Sequence, residues 1–316
     1  TFLNYSAEHD VLLQAGSAAR DRASDEAAAG MVAYRGSDGH VLWQDLARKH
    51  QGPCLLHHGT ILTQGEAYSL LDGQPQLRRD PLTGEQLAWK FTRHYGCNTA
   101  IASEHLITFR SAAAGFYDLT CDAGTGNLGG FKSGCTSNLI VADGVLSAPE
   151  YTRTCTCRYQ NQTSLALVHD PAVEMWTFLD RTWSGSRVLR AGVNFGAPGD
   201  RRDGSGTFWM DWPSQGGVSP DLPIQVKPDK PAVFRQHSGL VRLPSDTAVP
   251  VWVAASGIKD VEQIAVTLSK KPDEPPQAYR VRLVFFDPDA NAAGQRVFAV
   301  RLQDRPESEP IDIVRE

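Results

Sequence analysis

Ser37-Asp38-Gly39-His40-Val41-Leu42-Trp43 and Leu82-Thr83-Gly84-Glu85-Gln86-Leu87-Ala88-Trp89 are two versions of one phrase, and they decide the fold class. In each, a glycine precedes a short strand-like run that ends in tryptophan. The two tryptophans lie 46 residues apart. Glycine supplies the positive φ of a tight hairpin, and an indole offers a large flat surface for packing between neighbouring sheets. We therefore expect a repeated β unit whose glycine turns the chain and whose tryptophan packs against the next unit.

Short strand-like segments separated by turn residues continue on both sides of these phrases. A degenerate third copy starts at Asp122-Ala123-Gly124-Thr125-Gly126-Asn127. A period of about 40–50 residues with four short strands per repeat is typical of a β-propeller. The first part of the chain is therefore predicted to form propeller blades.

Length, composition and net charge limit the classes of protein to which this chain can belong. The 316 residues suffice for two domains, and 28 glycines and 19 prolines favour β structure with many turns. A net charge of −5 argues against nucleic acid as a partner, because phosphate binding needs clustered positive charge. No run approaches the roughly 18–20 apolar residues that a membrane span requires.

Cysteine is concentrated in one region. Five of the six cysteines lie between Tyr95 and His169. This usage fits an oxidising compartment better than the cytosol, so we expect a periplasmic or extracellular protein.

The second part of the chain has a different pattern. Tyr279–Phe286 and Arg296–Leu302 alternate between apolar and polar residues. Such period-2 alternation predicts half-buried antiparallel strands and hence a β-sandwich. Within it, about 221–277 is an insertion with strand-like stretches at Val251–Ala255 and Ile264–Leu268.

Two resemblances follow from these motifs. The first half is similar to the last blades of quinoprotein-type (PQQ-like) propeller proteins of planctomycete-type bacteria, through these segments: Tyr95-Gly96-Cys97, Thr108-Phe109-Arg110-Ser111, Gly115-Phe116-Tyr117-Asp118, Gly134-Cys135, Ala148–Cys157 and Tyr159–Ser164. The second half resembles a malectin-like carbohydrate-binding fold through Val193-Asn194-Phe195-Gly196, Asp203–Trp209 and Gly294–Phe298. The fold class expected is all-β: PQQ-like propeller blades over residues 1–178 and a malectin-like sandwich over 179–316.

Neither fold is complete on this expectation. The first part holds three to four blades, whereas a closed propeller has at least about four and the quinoprotein type more. An open sheet edge is prone to pair with other chains. Another polypeptide is therefore an expected partner, completing the propeller and the sandwich, unless the missing blades lie in sequence that was removed.

The resemblance includes four of the cysteines: Cys97, Cys135, Cys155 and Cys157. If all four are oxidised, three pairings are open. A metal site built from the four thiolates is the alternative, although Cys-x-Cys matches poorly the spacing of structural zinc ligands.

Polar residues around these cysteines are candidates for a funnel that binds sugars. Those with groups suited to acid–base chemistry or carboxylate binding are His94, Arg110, Tyr151, Arg153 and Tyr159. Asn138 and Asn161 are candidate sugar ligands. An arginine can fork to a uronic acid carboxylate while tyrosine or histidine moves a proton, as in polysaccharide lyases. The alternative is that these side chains hydrogen-bond strand ends between blades.

The sandwich offers a second candidate surface. Phe208, Trp209, Trp212 and Tyr279 could stack on a sugar ring, and Asp200, Asp203 and Asp211 could bind its hydroxyls. The alternative is core packing, because strand alternation buries about half of such residues.

Metal candidates are fewer. His57 and His58 are expected to point to opposite faces of a strand, which disfavours a shared ion. Asp287, Asp289 and Asn291 place oxygens at alternate positions, a pattern that calcium accepts, but the loop lacks the EF-hand glycine and closing glutamate. A plain hairpin loop is favoured there.

The sequence thus predicts an extracytoplasmic carbohydrate-binding or scaffold protein. A polysaccharide lyase or hydrolase is the alternative. A quinoprotein dehydrogenase is disfavoured and PQQ is not expected, because its acidic base, calcium ligands and stacking tryptophan cannot be assembled here, and a propeller alone does not imply the cofactor.

Overall fold

The computed structural model describes residues 1–16, 23–94, 96–129, 131, 139–149, 164–244 and 247–314. Within these ranges it holds 26 short strands, a 3₁₀ turn at Ser238–Leu240 and one helical turn, α1, at Val251–Ala254. The predicted all-β class is confirmed. Among the described residues, no helix has the length and apolarity to cross a membrane.

The chain divides into two compact units. The first comprises Thr1–Val193, Pro198–Leu222 and Leu268–Lys271, and the second comprises Asn194–Ala197, Pro223–Thr267 and Pro272–Glu316. The boundary between two folds at residue 178 stays a prediction.

The first sheet of the first unit is a four-stranded antiparallel meander. Its strands in order are β1 Phe2–Ser6, β2 Val11–Ala15, β3 Met31–Arg35 and β4 Val41–Asp45. Side chains in β2 alternate between buried and half-buried, so Val11, Leu13 and Ala15 enter the core. This is the strand order expected of a propeller blade.

The following sheets repeat this antiparallel plan. Their strands are β5 Leu55–His57, β6 Thr60–Leu62, β7 Ala67–Ser69, β8 Leu77–Arg79, β9 Gln86–Ala88, β10 Ile101–Ala102, β11 Leu106–Ser111, β12 Ala113–Asp118, β13 Thr125–Asn127, β14 Ile140–Ala142, β15 Val145–Ala148, β16 Leu165–Val168 and β17 Thr177–Phe178. They group as β5-β6-β7, β8-β9, β10-β11-β12-β13-β17 and β14-β15-β16. The β-bridges between Tyr68 and Pro75 and between Glu66 and Lys90 join β5-β6-β7 to β8-β9, so these two groups together are counted as the second sheet, and β10-β11-β12-β13-β17 is the third. The first strands of three successive sheets are neighbours, because β5 packs between β1 and β10.

One hairpin geometry recurs along the blades. In Arg35–His40, the Arg35 N–H donates to the His40 carbonyl at 2.8 Å and the Gly39 N–H donates to the Arg35 carbonyl at 2.8 Å. The same two bonds close Asp80–Glu85, as the two phrases predict, and also Ser69–Gln74. The glycines at the fifth position, Gly39, Gly73 and Gly84, have φ of +73°, +70° and +73°. The role predicted for the turn glycine is confirmed.

The expected third copy is displaced by two residues. The equivalent turn is Asp118–Ala123, where the Asp122 N–H donates to the Asp118 carbonyl at 3.0 Å. Asp122 takes the glycine's position with φ +47°. Aspartate tolerates this left-handed conformation better than most residues do, which is why no glycine marks the turn.

The tryptophans connect one sheet to the next. Trp43 Nε1 donates to the Leu70 carbonyl at 2.8 Å, in the second turn. Trp89 Nε1 donates to Asp122 Oδ1 at 3.2 Å, in the turn of the third sheet. The predicted packing of each indole against the next unit is confirmed.

Asp122 also accepts hydrogen bonds from two other side chains, those of Arg78 and Tyr117. Arg78 donates to it at 3.1 Å and to the Tyr117 hydroxyl at 2.9 Å. The Tyr117 hydroxyl donates to the same carboxylate. Burial, and then the charge of Asp122, raise the pKa of Tyr117, so the phenol stays protonated and donating.

The remaining strands are shorter and more scattered. They are β18 Gly192–Phe195, β19 Arg201–Arg202, β20 Phe208–Trp212, β21 Ile224–Lys227, β22 Ala232–Arg235, β23 Ser256–Lys259, β24 Gln263–Val266, β25 Val297–Phe298 and β26 Ile311–Asp312. Antiparallel pairs join β19 to β20, β21 to β24, β22 to β23 and β25 to β26.

Two strand predictions in this region are wrong and two are right only in part. Tyr279–Phe286 holds no strand, and only Val297–Phe298 of Arg296–Leu302 is extended in a ladder. Val281 and Phe285 are 54% and 43% exposed, so alternation here did not bring a partner sheet over the apolar face. Val251–Ala255 forms α1 instead of a strand, whereas most of Ile264–Leu268 lies in β24.

Two glycine variants distinguish the cost of left-handed backbone strain from the cost of displacing the docked Trp43 ring. Gly39 and Gly73 occupy equivalent turn positions, but a Cβ at Gly39 meets nothing within 4 Å, while one at Gly73 would lie 2.8 Å from the Trp43 ring. We expect Gly39→Ala to lower the free energy of unfolding by about 1–2 kcal/mol through left-handed strain. Gly73→Ala should cost roughly 1–3 kcal/mol more, because the indole must move.

The measurement is urea unfolding followed by tryptophan fluorescence, since six of the seven tryptophans belong to the first unit. Equal losses in the two variants would contradict the docking of Trp43 on the second turn.

Candidate functional site

One candidate surface is built on β19 and β20 in the first unit. Arg201 lies directly opposite Trp209 in this antiparallel pair, so the two side chains share one face. Phe208 and Met210 point the other way into a core cluster. The strand therefore divides its large residues as alternation predicts: Phe208 is fully buried, and Trp209 and Trp212 are half-buried.

A cation–aromatic contact extends this face. The guanidinium carbon of Arg201 lies 5.4 Å from the centre of the Trp176 ring, within cation–π range. Trp176, Arg201 and Trp209 thus form a row that we call the Trp–Arg row. Of its members, the sequence singled out Trp209 alone. Trp176 and Arg201 lie in no motif, and only the fold brings them together.

Asp203 holds a loop beside the row. Its Oδ1 accepts hydrogen bonds from Ser205 N at 2.9 Å and Thr207 N at 2.9 Å. Its Oδ2 accepts one from Trp209 Nε1 at 2.9 Å. Burial alone would raise the pKa of Asp203, but the hydrogen bonds from Ser205, Trp209 and Thr207 outweigh it and lower the pKa to about 2. The carboxylate therefore orients the Trp209 indole, and its predicted role in binding sugar hydroxyls stays a prediction.

Asp200 and Asp211 form a buried pair beneath the sheet. Asp200 is 0% exposed and Asp211 is 4% exposed. Asp200 accepts from Leu179 N at 2.9 Å, Asp211 N at 3.1 Å and Ser219 Oγ at 2.5 Å. Burial raises the pKa of Asp200 to about 7, with the charge of Asp211 adding to the effect. Both side chains face the interior, so they support the sheet and do not reach a polymer at the surface.

Two of the predicted funnel residues are described. Arg110 is fully buried, and its Nε donates to the Ala112 carbonyl at 3.3 Å. His94 is exposed, and its backbone N–H donates to Ser111 Oγ at 2.8 Å. The Arg110 contact matches the alternative in which such side chains hold strand ends, the His94 contact is made by its backbone alone, and the catalytic role of both residues stays a prediction. The other members of the set lie outside the described residues: Tyr151, Arg153, Tyr159, Asn138 and Asn161.

The disulfide prediction is largely untested for the same reason. Cys135, Cys155 and Cys157 lie outside the described residues, and Cys97 is exposed. Cys54 carries no disulfide, and burial raises the pKa of its thiol to about 12.

The prediction that His57 and His58 point to opposite faces of a strand is wrong. β5 ends at His57, and His58 lies in the β5–β6 turn with φ +49°. Because the strand alternation is broken there, the two rings pack edge to face with centroids 4.7 Å apart. Glu104 joins them from the β10–β11 turn, and the potential ligand atoms of the three residues lie within 4.8 Å of one another. Glu104 lies 46 positions from His58, and no local pattern points to it.

Ion pairs occupy the loop of the second unit that was a weak candidate for calcium and was expected to be a plain hairpin loop. Asp287 accepts from Arg296 Nε at 2.6 Å and from Asp289 N at 2.9 Å. Asp289 pairs with Lys259. The backbone N–H of Asn291 donates to Gln295. A calcium ion would have to displace both cations, so this arrangement gives calcium no support.

Comparison with known proteins adds little. No family model matches the chain, and no curated protein matches it either. A solved structure, that of BamB from Moraxella catarrhalis, aligns with 46% of this chain at 14% identity and a TM-score of 0.28. The chain spans less than half of that protein, the aligned share being 45%. No conclusion about function depends on this likeness.

The raised pKa of Asp200 predicts an unusual pH dependence of the free energy of unfolding. An unfolded aspartate titrates near 3.9, so between about pH 4 and 7 the folded state keeps a proton on Asp200 that the unfolded state has released. The free energy of unfolding should therefore fall as pH rises through this window, by roughly 2 kcal/mol between pH 5 and pH 8. Asp200→Asn should flatten this slope in urea unfolding.

Asp203→Asn is the matched control. The pKa of Asp203 is depressed, so its contribution is present above about pH 4 and lost only as pH falls toward 2. The control should keep the wild-type slope from pH 5 to 8. A slope unchanged in Asp200→Asn would contradict the assignment.

Proposed function

We propose that this chain is an extracytoplasmic carbohydrate-binding or scaffold protein built on PQQ-like propeller blades, with a malectin-like fold in its second half. The observation that carries the proposal is the Trp–Arg row. Arg201 lies over the ring of Trp176 and opposite Trp209 in the β19–β20 pair, and both tryptophans are half-buried.

The chemistry of the row suits an acidic sugar. The C–H face of a pyranose is apolar and covers an indole, while arginine donates two parallel hydrogen bonds to a carboxylate. Arg201 is held between strand and ring, so less side-chain entropy is lost on binding. A polysaccharide containing uronic acids is therefore the ligand class that we favour.

Asp203 contributes by positioning. Its hydrogen bond to Trp209 Nε1 at 2.9 Å fixes the plane of the indole. A fixed aromatic platform binds with less loss of freedom than a mobile one. The aspartate thus serves the ligand through Trp209, which differs from the direct contact with hydroxyls expected from the sequence.

A partner polypeptide is proposed from the edge of the first sheet. Among the described residues, β1 pairs with β2 alone. Leu3 and Tyr5 on β1 are 66% and 56% exposed. An edge strand with exposed apolar side chains is a template for adding another strand, and the proposed partner would supply that strand. The proposed compartment, periplasmic or extracellular, rests on cysteine usage.

Binding and catalysis are distinguished by one experiment. The chain is titrated with a soluble polyuronate and with a neutral glucan, and heat of binding and tryptophan fluorescence are recorded. We expect binding to the polyuronate without release of unsaturated sugars. Arg201→Gln and Trp209→Ala should each weaken it about tenfold or more, the cost of one charge-assisted hydrogen bond or one stacked ring.

Arg35→Gln is the control, because Arg35 is an exposed arginine on the first sheet, paired with Asp38 at 2.8 Å. It should bind as the wild type does. Equal binding of the neutral glucan would overturn the role of Arg201, and absence of binding to both polymers would overturn the proposal that the chain binds carbohydrate. An absorbance increase from unsaturated products would establish a lyase instead.

A further inference from the structure

Three hairpin ends meet at one edge of the first unit. The β1–β2 turn carries Glu8 and His9, the β5–β6 turn carries His58, and the β10–β11 turn carries Glu104. They meet because β5 packs between β1 and β10. The first hairpins of three successive sheets therefore present their polar tips side by side.

The distances at this meeting point are short. His58 Nε2 lies 3.1 Å from Glu104 Oε1, and His58 Nδ1 lies 3.6 Å from Glu8 Oε2. His57 Nε2 lies 3.0 Å from the Glu104 carbonyl oxygen. The side chains of His58 and Glu104 are 56% and 66% exposed, so an ion reaches them directly from solvent.

We propose that His57, His58 and Glu104 bind a divalent transition-metal ion of the zinc class, with Glu8 orienting His58. The proposal goes beyond carbohydrate binding and is independent of it. It reverses the expectation from the sequence because His58 leaves the strand at the turn.

The donor set decides the class of metal. Two imidazole nitrogens and one carboxylate oxygen form a His₂Glu set, which zinc accepts with water in its fourth position. Calcium and magnesium prefer oxygen ligands alone. Ligands about 2.0–2.2 Å from a tetrahedral ion stand roughly 3.3–3.5 Å apart, and the present His58–Glu104 separation of 3.1 Å is close to this.

Glu8 supplies a feature common at such sites. A metal-bound histidine usually donates its second ring nitrogen to a carboxylate, which fixes the ring and strengthens the ligand. With His58 Nε2 toward the metal, Nδ1 faces Glu8. His57 would exchange its contact with the Glu104 carbonyl for the ion, a rearrangement within a turn.

Binding would link the second and third sheets at their tips. An ion held by the folded chain alone stabilises it in proportion to the logarithm of its concentration over Kd. The expected result is a rise in the melting temperature of the first unit with added Zn²⁺.

The test uses the full chain after removal of metal with a chelator. Zn²⁺ is titrated by calorimetry, and Co²⁺ is added as a spectroscopic probe. We expect one ion per chain, visible cobalt bands, and no sulfur-to-cobalt charge-transfer band, since a thiolate band would place the ion on cysteine. His57→Gln, His58→Gln and Glu104→Gln should each weaken binding by about tenfold or more, and Glu8→Gln by less.

His40→Gln is the matched control, because His40 is exposed and lies in the Arg35–His40 turn, which is none of the three turns that carry the cluster. It should leave affinity unchanged. Circular dichroism of each variant checks that the fold is intact. Absence of binding by the wild type, equal affinity in the variants, or a thiolate band would each overturn the proposal.

Discussion

The docking of an indole on the turn of the next sheet is the contact on which the first unit depends. Each sheet has a hydrophobic face that must be buried against another element, and here it gains stability by burying that face against its neighbour. Trp43 covers Gly73 and donates to the Leu70 carbonyl, so it satisfies its only polar atom while it buries its ring. Trp89 repeats this arrangement on Asp122. Gly73 is needed for the Trp43 contact, because a Cβ at this position would occupy the space of the Trp43 ring.

This stacking also sets where functional groups meet. Successive sheets that dock through equivalent turns keep their other hairpins aligned, and the first hairpins bring Glu8, His58 and Glu104 together. The Trp–Arg row arises differently, from the register of two short strands that sets Arg201 opposite Trp209. One site thus depends on packing between sheets and the other on pairing within a sheet.

Much of the blade region could be predicted from the sequence, because its signals are local. A glycine with positive φ and a tryptophan a few residues later act within one hairpin. The failures share a cause. Alternation over Tyr279–Phe286 is necessary for a half-buried strand but does not supply the partner that the strand needs, and the segment stays outside any ladder. The turn at Asp118–Ala123 was not located from the sequence, because Asp122 and not a glycine adopts the positive φ there.

The sequence by itself determined the all-β class, the turns at Gly39 and Gly84 and the packing role of the tryptophans, because steric limits on φ and the burial of an indole act through short spans of chain. Tertiary structure alone decided that Glu104 joins His58 and that Arg201 lies over Trp176. These partners are separated by 46 and 25 positions, and no spacing rule relates residues that meet through the docking of separate strands.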